Sequence, residues 1–394
     1  MPSYIGILGS RGSGKTCYLI SLYHNSVPCD ETKKILEQKY INLYQKCLLP
    51  SPTELSTHRL NFGISTQKRF YDIVTKDYGG ELLAGRYEED VVKEFRDSNY
   101  KEKQKKIYEF FQASRGIVII VETNPIKQEL QKDRHYINEI DSLISKISKI
   151  KDGNKKIEVP VALVLSKWDR IDPKAFGKSQ DELRESALQY IKNTNWLPVY
   201  TRLKNFCNKL EVYPIFSFIG DKPSLENIKP FNICQPLIWI TEMADKCLFN
   251  KCKEYQLQNP QNYKQIIKNF WNILNVENIT DAGIRKKIEI ELEDLSQLYF
   301  EEVEKKIKKY KKFGLTVIIN LYKEIYNTNG VSKTVKEKVN RKIQVLKKRA
   351  KAFHIYKTLA CTFSFLLFIY LVWEVYSVYS LLKGKKLVKT KELR

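Results

Sequence analysis

Residues 9–16 read Gly-Ser-Arg-Gly-Ser-Gly-Lys-Thr, directly after the apolar run 4–8, Tyr-Ile-Gly-Ile-Leu. No other feature limits the fold as tightly. Glycines at Gly9 and Gly14, with Lys15 and Thr16 behind them, call for a buried strand before the loop and a helix after it. In that setting backbone N–H groups curl around a β-phosphate, Lys15 reaches the β- and γ-phosphates, and Thr16 offers a hydroxyl to Mg²⁺. The helix expected after Gly14, carrying Leu19, Leu22 and Tyr23, points its positive end at the same phosphates. The expected contact run is continuous: Gly9, Ser10, Arg11, Gly12, Ser13, Gly14, Lys15, Thr16 and Cys17.

Other apolar runs extend the pattern. Segments 58–66 and 68–75 read as neighbouring strands, and a charged helical stretch is expected over 81–114. Residues 116–121, Gly-Ile-Val-Ile-Ile-Val, form a continuous apolar run of the kind found in strands covered on both faces. A helix is expected at about 127–150, strands at 159–165 and 211–218, and a closing helix at 231–246 that contains Pro236-Leu-Ile-Trp. Strands alternating with helices predict an α/β fold with a doubly wound, mostly parallel sheet over 1–248.

Phosphate grip alone does not separate ATP from GTP. The run Leu165-Ser-Lys-Trp-Asp169 ends the strand expected at 159–165. Here the chain resembles the TRAFAC-class P-loop GTPases, whose base-reading motif, usually Asn/Thr-Lys-x-Asp, occupies the same place. The resemblance implies that Asp169 accepts both N–H hydrogen bonds of the guanine edge, a bidentate contact adenine does not offer. It also implies that the stem of Lys167 packs on the base. Ser166 departs from the commoner Asn or Thr and is smaller.

Further matches follow from that resemblance. Asp77-Tyr-Gly-Gly80 is similar to the Asp-x-x-Gly element, in which the Asp holds Mg²⁺ through water and the Gly amide touches the γ-phosphate. Glu81 stands where Ras-like members have a water-orienting Gln, and an ionised carboxylate accepts without donating. Asp72, inside the strand, is a competing acid. Thr53, within Pro52-Thr53-Glu54, is the expected Mg²⁺-facing Thr, with Thr57 as runner-up. Ser217, between Phe216 and Phe218, matches the last guanine-contacting loop. Three roles stay open for Arg11: a γ-phosphate contact in cis, an arginine finger toward a facing protomer of a homodimer, or solvent. The set Asp-x-x-Gly-Glu, Ser-Lys-Trp-Asp and Pro-Leu-Ile-Trp is similar to the double-GTPase type of prokaryotic G domains. The expected nucleotide-binding set is thus residues 9–17 with Ser166, Lys167, Asp169 and Ser217; Lys15, Gly80 and Glu81 carry catalysis, and Thr16, Thr53 and Asp77 face Mg²⁺.

Charge and hydropathy organise the rest. The net charge is +23, and nine basic side chains with one acidic one, Glu337, lie between Lys333 and Lys351. Such a run suits an anionic surface. Residues 249–355 read as a helical, basic stalk or hairpin, with apolar stripes at Ile288, Leu292, Leu295, Tyr299 and Val303, and at Val335, Val339, Ile343, Leu346, Ala350 and Phe353. Within 356–383 the apolar run 359–382 is long enough to cross a bilayer, bounded by Lys357 and Lys383, with Glu374 as its one acidic residue. A short basic tail, 384–394, follows. The run favours lipid headgroups over nucleic acid as the basic helix's partner.

Eight cysteines show no CxxC spacing, and four histidines form no ligand cluster with them, so neither zinc nor a disulfide framework is expected. The glycine loop begins eight residues into the chain with no secretory signal before it, which puts the expected site in the cytoplasm. The expectation is a membrane-anchored switch that binds guanine nucleotide, hydrolyses GTP to GDP with Mg²⁺ and engages a protein effector. The alternative is a GTP-holding scaffold with little or no hydrolysis, motivated by Glu81.

Overall fold

The structure is a computed structural model that describes residues 3–9, 12–50, 58–65, 70–77, several between 102 and 113, 114–123, 159–220, 222–275, 279, 281–309 and 314–391. The chain divides into two compact units: Met1–Gln258 with Asn272–Ile288, and Asn259–Trp271 with Glu289–Arg394.

The first unit is α/β. Seven strands, β1 (Ser3–Gly9), β2 (Val27–Pro28), β3 (His58–Ser65), β4 (Phe70–Asp77), β5 (Gly116–Glu122), β6 (Val161–Ser166) and β7 (Leu210–Pro214), form one sheet in the order β2-β3-β4-β1-β5-β6-β7. Neighbours from β4 to β7 are parallel, and β2 and β3 pair antiparallel at one edge. The helices described wholly within this unit are α1 (Lys15–His24), α2 (Asp30–Tyr40), α3 (Gln180–Lys192), α4 (Leu197–Phe206) and α5 (Gln235–Gln258).

Alternation within each strand explains why the central runs carry no polar residue. Ile117, Ile119 and Val121 join one core with Leu163, Leu165 and the α3 residues Leu183, Ala187 and Ile191. Val118 and Ile120 join a second core with Ile5, Ile7, the α1 residues Leu19 and Leu22, and the α5 residues Leu237 and Ile240. Both faces of the sheet are therefore covered, so apolar side chains are required on both sides of each strand.

The expected strands are present with shifted ends. The first three run Ser3–Gly9, His58–Ser65 and Phe70–Asp77. The strand expected at 211–218 ends at Pro214; the Ile215 amide still donates to Leu165 O at 2.8 Å, and Phe216 then pairs with Phe231 in place of β6. The closing helix runs to Gln258, well past 246. Expected helices within 81–100 and 127–150 lie outside the described residues, as do Ser10, Arg11, Thr53, Thr57, Gly80 and Glu81.

The second unit is helical. It comprises the early part of α6 (Tyr263–Asn275), the later part of α7 (Ala282–Lys309), α8 (Leu315–Asn327) and α9 (Lys333–Lys391). Leu292, Leu295, Tyr299 and Val303 of the first expected stripe are buried, and so are Val335, Val339 and Ile343 of the second. The second stripe then opens: Leu346 and Ala350 are half-buried and Phe353 is 67% exposed. Lys342 Nζ lies 3.3 Å from Glu304 Oε1, Tyr322 donates to the same carboxylate, and the Ser332 amide donates to Ser296 Oγ at 3.0 Å. Helix α9 is 59 residues long, about 88 Å. Among the described residues one helix is long and apolar enough to cross a membrane; its candidate span lies within Lys333–Val378, and the most apolar part is not buried in the protein.

One ion pair ties the amino end of β5, in the middle of the sheet, to α5. Arg115 Nη2 lies 2.5 Å from Asp245 Oδ1, and Asp245 Oδ2 accepts from the Asp281 amide at 2.8 Å. Asp281 Oδ1 in turn accepts from the Gly283 and Ile284 amides at the start of α7. Asp245 is fully buried. Asp245→Ala, which leaves the Arg115 guanidinium buried without this carboxylate, is expected to lower the stability of the first unit by about 3 kcal/mol, read from urea unfolding of the full chain in detergent.

Candidate functional site

At the carboxyl end of β1 the chain must turn sharply into α1. Gly14 makes the turn at φ 86°, ψ 9°, in the left-handed region, and caps α1, with the Tyr18 amide donating to its carbonyl at 2.9 Å. Gly9 is needed for a different reason: a Cβ there would stand 2.4 Å from Ser13 Oγ and 3.3 Å from Ile120 O. The loop thus folds back onto the strand it leaves. Ser13 and Lys15 are buried within it, and Thr16 and Cys17 follow half-buried. Ser13 Oγ has no hydrogen-bond partner among the described residues. Burial pushes the Cys17 thiol up to about 11 against the pull of the nearby Lys167 ammonium, so it stays protonated at neutral pH.

β1 and β5 are adjacent and parallel, but the chain leaves β1 toward β2 at one edge and leaves β5 toward β6 on the other side. Such a divergence opens a crevice at the carboxyl ends of the strands, the usual ligand position in open α/β sheets. The glycine loop lies at this point.

Two strands from β1, the end of β6 completes the arrangement. Ser166 Oγ lies 2.7 Å from Ser13 O and 3.1 Å from Val121 O. Its single O–H donates to either carbonyl, and the short serine side chain is enough to tie the β6 end to the glycine loop. Lys167 follows at φ 57°, ψ 35°, a left-handed conformation that costs a non-glycine residue about 1 kcal/mol. Neighbours hold it there. Thr123 Oγ1 donates to Ser166 O at 2.6 Å or Lys167 O at 3.0 Å, and the Trp168 amide donates to Ile215 O at 3.1 Å. Trp168 is buried edge-on against Tyr190, with ring centroids 5.6 Å apart, so the variable position of the motif is an anchor into the core.

Asp169 is buried to 6% exposure, and its Oδ2 accepts from the Gly220 amide at 2.8 Å. This bond joins the 166–169 turn to the loop after β7, in which Ser217 is half-buried. Glu122, the last residue of β5, accepts from Lys167 Nζ, with Arg170 Nη1 3.4 Å away.

The structure therefore brings Gly9, Gly12, Ser13, Gly14, Lys15, Thr16, Cys17, Ser166, Lys167, Asp169 and Ser217 to one edge of the sheet. Asp77 ends β4, the other neighbour of β1, at the same carboxyl edge, whereas Asp72 lies inside β4 opposite Gly63. Thr123, Glu122 and Gly220 were not singled out from the sequence. Polar residues directly behind the apolar run 116–121 were the available signal for the first two; nothing local marked Gly220.

The Thr16 hydroxyl is a hard oxygen donor of the kind Mg²⁺ takes, one or two from protein with phosphate and water completing the shell. Among the described residues no three His, Cys, Asp or Glu side chains gather as a metal cluster. A buried lysine beside a helix N-terminus, with a buried carboxylate two strands away, fits a ligand with an anionic end and a hydrogen-bond-donating edge.

Ser166→Ala removes the donor shared by two buried carbonyls, and the full chain is expected to lose about 1–3 kcal/mol of stability, measured by chemical unfolding. No family model and no curated protein matches the chain.

Proposed function

We propose that the chain is a membrane-anchored GTP-binding protein of the TRAFAC P-loop class, which hydrolyses GTP to GDP with Mg²⁺ and acts as a nucleotide-dependent switch. The observation that carries the reading is the hydrogen bond between Ser166 Oγ and Ser13 O. It joins the expected base-reading turn to the expected phosphate loop, which a charged surface turn at 166–169 would have no reason to do. The ends of β1 and β6 stand about 10 Å apart, two strand spacings, a span that a nucleoside and its phosphates bridge.

In this reading the amides around Gly12–Lys15 and the Lys15 ammonium neutralise the phosphates, with the N-terminus of α1 behind them. Asp169, held by Gly220, accepts the guanine N–H pair, and the bound Mg²⁺ supplies charge neutralisation beside Thr16 and Asp77. Gly80, Glu81 and Thr53 are the proposed γ-phosphate and water-side residues, and their loops are what nucleotide state would order against an effector. Catalysis is positioning and charge stabilisation.

For the membrane part, support comes from α9. Its basic residues at 333–351 lie just ahead of exposed apolar side chains that run from Phe353 to Val378. Each headgroup-facing Lys or Arg contributes about 1 kcal/mol on an anionic surface. The first unit is proposed to face the cytoplasm.

Titration of GTP, GDP and ATP analogues into the full chain in detergent with Mg²⁺ tests the nucleotide reading. GTP is expected to bind at least about tenfold more tightly than ATP, with Asp169→Ala erasing the difference. Lys15→Ala is expected to abolish binding and hydrolysis. An ATP preference untouched by Asp169→Ala rules the guanine assignment out, and bound GTP unchanged over hours in single turnover favours the scaffold. Separately, membranes washed with alkaline carbonate should retain the full chain and release a variant truncated before residue 356.

A further inference from the structure

The Glu122 carboxylate has no role in the reading above, yet it sits where that reading is most demanding. It ends β5, opposite Ser166 in register, between the glycine loop and the 166–169 turn. Its side chain is 18% exposed and accepts from Lys167 Nζ, with Arg170 Nη1 at 3.4 Å. An anion at this edge does nothing for a phosphate, since like charges repel across the crevice. Its effect must lie at the other end of the ligand.

Lys167 is fixed twice over. The turn holds its backbone in the left-handed region, with Thr123 Oγ1 2.6 Å from Ser166 O and 3.0 Å from Lys167 O, and Glu122 holds its ammonium. A lysine gripped at both ends has a constrained four-carbon stem. The stem is then an apolar ledge in the turn that carries Asp169, with its ammonium engaged by Glu122 while Lys15 serves the phosphates.

We propose that Glu122 is a positioning residue for Lys167, drawing its ammonium along the β5 edge so that the stem is ordered to receive the face of a purine before the nucleotide arrives. The proposal rests on the reading of Asp169 as the guanine partner. Rotamer freedom that an untethered lysine would lose on binding is already lost in the free protein. Glu122 therefore contributes to the base and not to the phosphates.

That division sets the test. The full chain in detergent, as wild type, Glu122→Ala and Glu122→Gln, is titrated with GDP, GTP and Mg²⁺-pyrophosphate, which has phosphates and no base. The alanine variant is expected to bind GDP and GTP about three- to tenfold more weakly, with pyrophosphate affinity unchanged to within about twofold. Glutamine keeps an acceptor oxygen without the charge and is expected to fall between alanine and wild type. A merely structural role would weaken pyrophosphate in step with GDP, and that result overturns the proposal. So does a Glu122→Ala chain that binds GDP as tightly as wild type; this leaves the guanine reading standing. A wild-type chain that binds pyrophosphate but not GDP removes the guanine reading, and the proposal with it.

Discussion

The rest of the site depends on one hydroxyl. Ser166 sits at the end of β6, and its 2.7 Å approach to Ser13 O bridges β6 to the loop after β1 across the intervening β5. A longer side chain at 166 would have to fold back to make the same contact. Gly14 serves the same loop through its backbone: at φ 86° a side chain would be strained, while the space toward Ser166 Oγ would give a Cβ only an ordinary 3.4 Å contact. With the serine contact made, Thr123, Trp168 and Gly220 each add a bond that leaves the 166–169 turn little freedom. The strained backbone of Lys167 is the local cost of aiming two consecutive polar side chains in different directions.

What was legible in the sequence follows from how burial acts on each element. β1, β5 and β6 are covered on both faces, so their positions are written as unbroken apolar runs, and their ends fall within a few residues of expectation. The two-residue β2 and the polar helix α2 leave no such mark; α2 buries only Thr32 and Leu36. The strand β7 ends sooner than its hydropathy suggests: Ile215 makes a last bond to Leu165 O, and the buried apolar side chain of Phe216 continues into a turn closed by the Phe216–Phe231 stack. Hydropathy reports burial, and here burial outlasts the strand.

The same logic separates the parts of the site. Gly9, Gly14, Lys15 and Asp169 were visible because their chemistry requires fixed residue types at fixed spacing. Glu122 and Gly220 were not, because they act through a neighbour brought close only by the sheet: Glu122 reaches Lys167 across 45 residues and Gly220 reaches Asp169 across 51. Any acceptor at the end of β5, or any amide after β7, would meet the need, so no residue pattern announces them. Supporting contacts are set by topology, and topology is the part of the fold a single sequence states least directly.

Helix α9 shows that pattern from the opposite side. Its first turns obey the helical repeat, with Val335, Val339 and Ile343 buried, and its polar face carries the basic run. Beyond Phe353 the periodicity is lost because nearly every position is apolar, the composition of a helix whose whole circumference meets one medium. No proline interrupts the 59 residues, so the helix that starts in the core of the second unit continues unbroken into the apolar segment. Glu374 is the exception within that segment, and the helix answers it internally: Tyr370, one turn earlier, donates its hydroxyl to Glu374 Oε1 at 3.1 Å. A carboxylate in an apolar medium is costly chiefly when unpaired, and a hydrogen bond within one turn reduces that cost without requiring a second helix. The one charged interruption between Lys357 and Lys383 is therefore compatible with the span that the surrounding residues propose.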